Sequence, residues 1–418
     1  MGVQDGGDGN VMPSLPVMLS LSKHRPRWWL TLRQAQGDND GGKISNTVAI
    51  VVFLVMLAVP GALALAGFAR VDTAFIETRE QRYPFVAPAV SSGALATGGY
   101  ERDLERQIAD AFPLRTPLIE AYDYAEFVWF GESTTPTVVR GRDGWLFYGA
   151  EELRYVTGSW KPSDAELAHI ANVYAARARW SSAHGVRYVF LIAPNKSTIY
   201  SDEAPPWYRP MPPTPLDRLL PILRAAGVTV IDVRAQLRDA ARRGEVYSRG
   251  DTHWNDAGAY IGYRAVLSAL RGAGVRDAVA PTGTHTTARR GDLLDISGVG
   301  GRIADSVVIM DYVRRAHPTA ASALEREAAA KEFTAQVTAA DAHLPAAVIF
   351  GDSFSLGLAP FFAEDFSRMA AFQKSGTSTS PQFDPALVQA ARANVVVQEL
   401  AERNLVFGAS FHADVPSP

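Results

Sequence analysis

The sequence predicts an α/β fold, a parallel sheet flanked by helices, on three observations. Apolar runs of strand length alternate with helical patterns from Ser163 to Leu270, and that alternation belongs to parallel strands covered on both faces. A further strand, turn and helix follow from Ala346 through Ser355. The 418 residues are 47% hydrophobic, enough to bury a sizeable core.

Residues 1–43, with their glycine and aspartate clusters, read as disordered or as a misassigned start. Residues 44–69 carry no charge and are long enough to cross a hydrocarbon core of ~30 Å; Pro60-Gly61 inside that run is tolerated in lipid. Lys23, Arg25, Arg27, Arg33 and Lys43 precede it. The positive-inside rule then leaves the start in the cytoplasm and sends everything after Arg70 outward, in a bacterium to the periplasm, anchored in the inner membrane. Ala64-Leu65-Ala66 also fits a small-residue cleavage site, so the same segment reads as a removable signal sequence.

Residues 70–99, rich in proline, glycine and small side chains from Pro84 onward, read as a stalk, and 100–410 as the folded domain. Asp103–Phe112 has helical spacing and Pro113 ends it. Val138–Tyr148 reads as a hairpin about Asp143-Gly144. Ser163 and Glu166 form a capping box for a helix that runs to about His184, where Gly185 stops it. A strand is predicted over Arg187–Ala193, a helix over Leu216–Ala226, a strand over Val228–Val233, and helices over 234–243 and Asp256–Leu270. The pattern weakens over 272–345, read as an insertion or lid with a polar helix over Ala320–Ala340. A strand Ala346–Phe350 precedes Ser353; then come a strand Met369–Gln373, a helix Pro385–Ala393 and a strand Val395–Leu400.

A net charge of −3 offers no basic excess to attract phosphates, which argues against a nucleic-acid partner. The absence of cysteine excludes disulfides, thiolate metal sites and a cysteine nucleophile.

Two segments about a hundred residues apart carry chemistry, Gly250-Asp251-Thr252-His253-Trp254-Asn255 and Gly351-Asp352-Ser353-Phe354-Ser355. A serine hydroxyl needs a base within hydrogen-bond reach, and the base needs a third group to hold its tautomer. Ser353, His253 and Asp251 can fill those roles in that order. Gly351, Asp352 and the Ser353 N–H lie at the carboxyl end of a strand, where backbone donors for an oxyanion gather. Asn195 or Lys196, after the strand ending at Ala193, offers a second donor on the same sheet edge. Asn255 belongs with this group or simply caps the next helix, as Asp251 could. An Asp-x-His pair also suits a metal, but His184, His285, His317 and His343 lack ligand spacing to it, and no metal or cofactor is predicted.

The chain resembles the SGNH-hydrolase-like O-acetyltransferases of bacterial exopolysaccharide, the alginate O-acetylation family of AlgJ and AlgX type. The likeness runs from about Asp103 to Phe407. It rests on Arg142–Phe147, Pro194–Tyr200, Asp251–Asn255, Gly351–Ser355 and Glu399–Arg403, in that order. It implies an SGNH-like sheet with circularly permuted motif order, the Asp-x-His pair preceding the serine, and a triad of Asp251, His253 and Ser353. It further implies acetyl transfer to hydroxyls of an alginate-like exopolysaccharide through an acetyl-serine. The acetyl donor would be a multipass membrane-bound O-acyltransferase. The carbohydrate-binding module of AlgX has no counterpart before Pro418, so the membrane-anchored AlgJ-like type is expected. A carbohydrate acetylesterase using the same triad, or an inactive polysaccharide-binding scaffold, stands as the alternative.

Overall fold

The computed structural model describes residues 41–405, apart from 87–89, 92, 94, 96, 98, 320–322, 332 and 375–382. The reading of residues 1–43 therefore lies, up to residue 40, outside the described residues. The chain divides into two units at Arg70/Val71. In the first, a helix over Gly41–Leu63 passes into a wider turn over Ala64–Phe68. Its segment Asn46–Phe68 has a mean hydropathy of 2.8 and is long and apolar enough to cross a membrane.

The second unit is built on a seven-stranded sheet. Its first members in sequence follow a short antiparallel hairpin of β1 (Val138–Arg140) and β2 (Leu146–Tyr148), which turns through Asp143-Gly144 with both residues at positive φ. The sheet holds β3 (Arg187–Ala193) and β4 (Val230–Asp232); β5 (Pro281–Arg289) and β6 (Asp305–Tyr312) pair only with each other. It continues with β7 (His317–Pro318), β8 (Phe333–Ala339), β9 (Ala346–Phe350), β10 (Arg368–Lys374) and β11 (Val395–Ala401). The order is β4-β3-β11-β9-β10-β8-β7. The first five run parallel, whereas β8 and β7 add on antiparallel, so the sheet is mixed where the sequence predicts a parallel one. β11 is buried along its whole length and β3 along all but its first residue, as expected of strands covered on both faces. The helix Asp164–Ala183 packs on β3, and Asp256–Ala269 lies against β3, β4 and the helix Ser355–Phe362. The capping box of Ser163 and Glu166 is formed.

The predicted helix over 320–340 is corrected. A helix spans Ala323–Ala330, and Phe333–Ala339 is β8, paired with β10; residues 320–322 and 332 lie outside the described residues. Phe333 and Val337 are buried, a spacing of four shared by helical and extended periods; the interleaved threonines and the open edge of β10 decide for the strand. Two strands of the region read as an insertion thus belong to the main sheet. Within the region read as a stalk, a helix Thr73–Arg79 capped by Asp72 buries Ile76 completely. It is held by Arg79 on Asp123 (2.7 Å), and Arg82 reaches Asp110 (2.6 Å). A smaller apolar cluster of Val138, Leu146, Leu293, Leu294, Ile296 and Val299 sits apart from the main core.

Candidate active site

Three parallel strands end side by side. β3 leads into Pro194-Asn195-Lys196, β9 into Gly351-Asp352-Ser353, and β11 into Glu402-Arg403-Asn404. The loop carrying Asp251 and His253 precedes the helix Asp256–Ala269. Trp254 fastens that loop to the serine turn: its Nε1 donates to the Phe354 carbonyl at 3.1 Å and its ring meets Phe354 edge-on. Two glycines make room for the indole. A Cβ on Gly357 would lie 2.9 Å from Trp254 Nε1, and one on Gly262 3.3 Å from the ring.

The fastening brings together residues from distant segments. His253 Nε2 is 2.7 Å from Ser353 Oγ, and Asp251 Oδ1 is 2.6 Å from His253 Nδ1. Asp251 also accepts the His253 and Asp292 backbone N–H groups, at 2.9 and 3.1 Å. Burial opposes charging of His253, but the hydrogen bond and charge of Asp251, with Asp292 behind it, outweigh burial and hold its pKa above the ordinary 6.5. Burial likewise opposes ionisation of Asp251, and the His253 partnership overrides it, so that carboxyl stays well below its usual range. Such a chain can carry a proton from Oγ to imidazole and stabilise the imidazolium that forms.

Asp292 had no signal in the sequence beyond standing in the weakly patterned region. Its oxygens accept from the Thr252 N–H (2.7 Å) and hydroxyl (2.5 Å), and it lies 3.6 Å from His253 Nδ1. Reciprocally, the Gly250 carbonyl accepts from the N–H groups of Leu293 and Leu294. Side-chain atoms of Asp251, His253 and Asp292 lie within 4.8 Å of one another and could hold a cation; an ion there would compete with the Asp251–His253 bond for Nδ1.

The remaining predicted residues divide. The Gly351 N–H goes to the Phe372 carbonyl and that of Asp352 to Glu399 Oε2, so neither is free for an oxyanion. Gly351 is glycine because a Cβ would meet Ser355 at 2.4 Å. The Asp352 carboxylate binds the turn itself, accepting from Phe354 N, Ala401 N and Asn404 Nδ2. The Ser353 N–H is uncommitted among the described residues. Asn195 is fully buried; its Oδ1 accepts from Arg403 N at 2.9 Å while its Nδ2 has no partner among the described residues. Lys196 is corrected from oxyanion donor to loop support: Nζ donates to the Ser248 and Arg249 carbonyls, both at 2.9 Å, and burial pushes its pKa down to about 8. Asn255 is a helix cap, its Oδ1 accepting from Ala257 and Gly258.

Beneath these groups lies a buried polar layer that the sequence reading left without roles. Glu402 accepts from Asn195 N, Thr198 Oγ1 and Tyr155 OH at 2.6 to 2.8 Å. Glu152 accepts from Ser197, and burial pushes its pKa up to about 7. Burial, with Asp352 alongside, raises Glu399 well above the usual carboxylate range.

A serine, an imidazole and a carboxylate joined in series at the carboxyl edge of parallel strands are the geometry of the α/β proteins with a serine nucleophile. Within that class, the chain belongs to the family described as SGNH hydrolase-like domain, acetyltransferase AlgX, which matches residues 138–402. Among its relatives is the probable alginate O-acetylase AlgJ of Pseudomonas putida, 29% identical over 206 residues, 44% of this chain and 51% of that protein. The AlgJ of Pseudomonas aeruginosa is 31% identical over 178 residues, 41% of this chain and 42% of that protein. The chain thus spans about half the length of the relatives it matches. Among solved structures, the O-acetyltransferase domain of Pseudomonas putida AlgJ is similar at a TM-score of 0.44 and 24% identity, covering 65% of this chain and 93% of that one. Bacillus cereus PatB1 is similar at 0.45 and 16%, covering 64% and 96%.

Proposed function

We propose that this protein is an O-acetyltransferase that moves acetyl groups onto hydroxyls of an alginate-like exopolysaccharide, with Ser353, His253 and Asp251 as its catalytic triad. The observation that carries the proposal is the unbroken hydrogen-bonded series from Asp251 through His253 to Ser353, in a domain of the AlgX family. Ser353 Oγ attacks the carbonyl carbon of an acetyl ester while His253 Nε2 takes the hydroxyl proton, and Asp251 holds Nδ1. The tetrahedral oxyanion is met by the Ser353 N–H and by Asn195 Nδ2, the buried amide left without a partner. His253 returns the proton to the departing oxygen, leaving acetyl-Ser353. A sugar hydroxyl then gives its proton to His253 and attacks that ester, and Ser353 Oγ leaves with the proton.

The apolar segment Asn46–Phe68 supports a domain anchored at the inner membrane and facing the periplasm, where a multipass membrane-bound O-acyltransferase would hand over the acetyl group. A carboxyl-terminal reporter should accordingly be active only when exported; cytoplasmic activity overturns the location. The chemistry is tested with the full chain in detergent, an activated acetyl ester and an oligosaccharide acceptor. Acetylated sugar should form at the expense of acetate. Ser353→Ala and His253→Ala should each lose most turnover, by comparable factors, because the triad acts as a unit. Acetate as sole product across acceptors makes the protein an esterase, and full turnover in Ser353→Ala removes the enzyme reading.

A further inference from the structure

Arg403 stands out among the buried charges. It is only 8% exposed, at the end of β11, and its backbone N–H is bound by Asn195 Oδ1. Its guanidinium makes no hydrogen bond or ion pair among the described residues. Its contacts are to two aromatic rings, Tyr148 and Phe354, each with its centroid 5.2 Å from the guanidinium carbon. Ring faces engage the cation through their π-surface and leave N–H donors unsatisfied. The neighbouring acids are already engaged: Asp352 by Phe354 N, Ala401 N and Asn404, Asp292 by Thr252, and Glu152 by Ser197. Burial opposes its charge, but the charges of Asp352, Glu152 and Asp292 outweigh burial and keep the guanidinium charged. None of them hydrogen-bonds it, so its donors stand open to an anion arriving beside the nucleophile. The Phe354 ring that Arg403 touches also lies 4.9 Å from the His253 ring and belongs to the residue after Ser353.

We propose that Arg403 recognises the acceptor: its guanidinium binds the carboxylate of a uronic acid unit and so sets the hydroxyl that is to be acetylated against Ser353. This rests on the transfer reading above and names the substrate class it requires. Sugar hydroxyls give a guanidinium single, neutral hydrogen bonds. A carboxylate gives charge-assisted ones, and its two oxygens match the guanidinium fork in a bidentate pair.

The test is a ratio, which general damage to the fold does not move. With the full chain, kcat/KM is measured for a uronic acid oligomer and for the same oligomer with its carboxyls reduced to alcohols. The wild type should prefer the charged oligomer by roughly thirtyfold or more, as expected of a desolvated charge-assisted pair. Arg403→Ala should bring the ratio close to one, and Arg403→Lys, which keeps charge but loses the fork, should fall between. A wild-type ratio near one, or an unchanged ratio in Arg403→Ala, overturns the proposal. Calorimetric binding of the two oligomers to Ser353→Ala, with and without Arg403→Ala, reads the same preference without turnover. Should the wild type make only acetate, the transfer reading fails while this binding comparison still decides for or against Arg403.

Discussion

Replacing Asp292 with alanine should slow turnover about tenfold and move the acid limb of the pH–rate profile to lower pH. The Asp292 carboxylate is 3.6 Å from His253 Nδ1. Two unit charges at that distance interact by about 1 kcal/mol in water and about 5 kcal/mol at the effective dielectric of a protein surface. The Asp292 side chain is 35% exposed, so the lower end applies, about 1–2 kcal/mol. A loss of about 1.4 kcal/mol from the imidazolium formed during reaction is a factor of ten in rate. The direction of the pH shift follows from the same charge. His253 must be neutral to accept the serine proton, Asp292 helps hold its pKa above 6.5, and removing that charge lets the neutral form persist to lower pH. The assay is release from an activated acetyl ester across the pH range, with Asp292→Asn alongside. The amide keeps the shape and one acceptor for Thr252 but loses the same charge, so it should shift the limb and slow turnover by a similar factor. A folded Asp292→Ala protein with the wild-type limb would refute the electrostatic argument, whatever its rate.

Two further outcomes concern stability. Trp254→Ala should cost about 3–5 kcal/mol, the usual range for emptying a buried indole site, because the ring fills the space kept by Gly262 and Gly357; urea denaturation midpoints measure it, and a loss under about 1 kcal/mol would mean that the two loops are held otherwise. Glu152→Gln should flatten part of the pH dependence of stability. The folded state keeps a proton on Glu152 up to about pH 7 that the unfolded chain releases near 4.5, so wild-type stability falls as pH rises through that window, by on the order of 3 kcal/mol. Denaturation of both proteins at about pH 5 and about pH 8 should show the wild type losing more; equal losses would contradict the assignment.

The sequence made the outline of the fold legible because most elements announce themselves locally. Ser163 and Glu166 cap a helix by their own side chains, Asp143-Gly144 turns a hairpin, and the unbroken apolar runs of β3, β9 and β11 have few other uses. β8 was misread because residues four apart share a face in both periods, and only its partner β10 chooses between them. Asp251, His253 and Ser353 stood out because their residue types form a chemical set. Glu402 and Arg403 did not, since their meaning comes from which strand ends the sheet order places side by side, and Asp292 did not because its bonds to Thr252 join segments forty residues apart. Asn255 and Lys196 were drawn into the site by nearness in sequence, while their actual partners are a helix start and two loop carbonyls.

The position of β11 bears on when this protein can first work. It is the last described strand in sequence, yet it lies between β3 and β9, pairing Val395 with Arg187 across about two hundred residues. A chain delivered from its amino end would present β3 and β9 with facing open edges until that strand arrived, and open edges invite wrong pairing. The bonds from Ala401 and Asn404 to Asp352, and from Arg403 to Asn195, cannot form earlier. The serine turn therefore takes its final shape only after β11 has entered between β3 and β9. Its completion is a single step, and any escort that shields nascent chains has to cover this sheet until its central gap is filled.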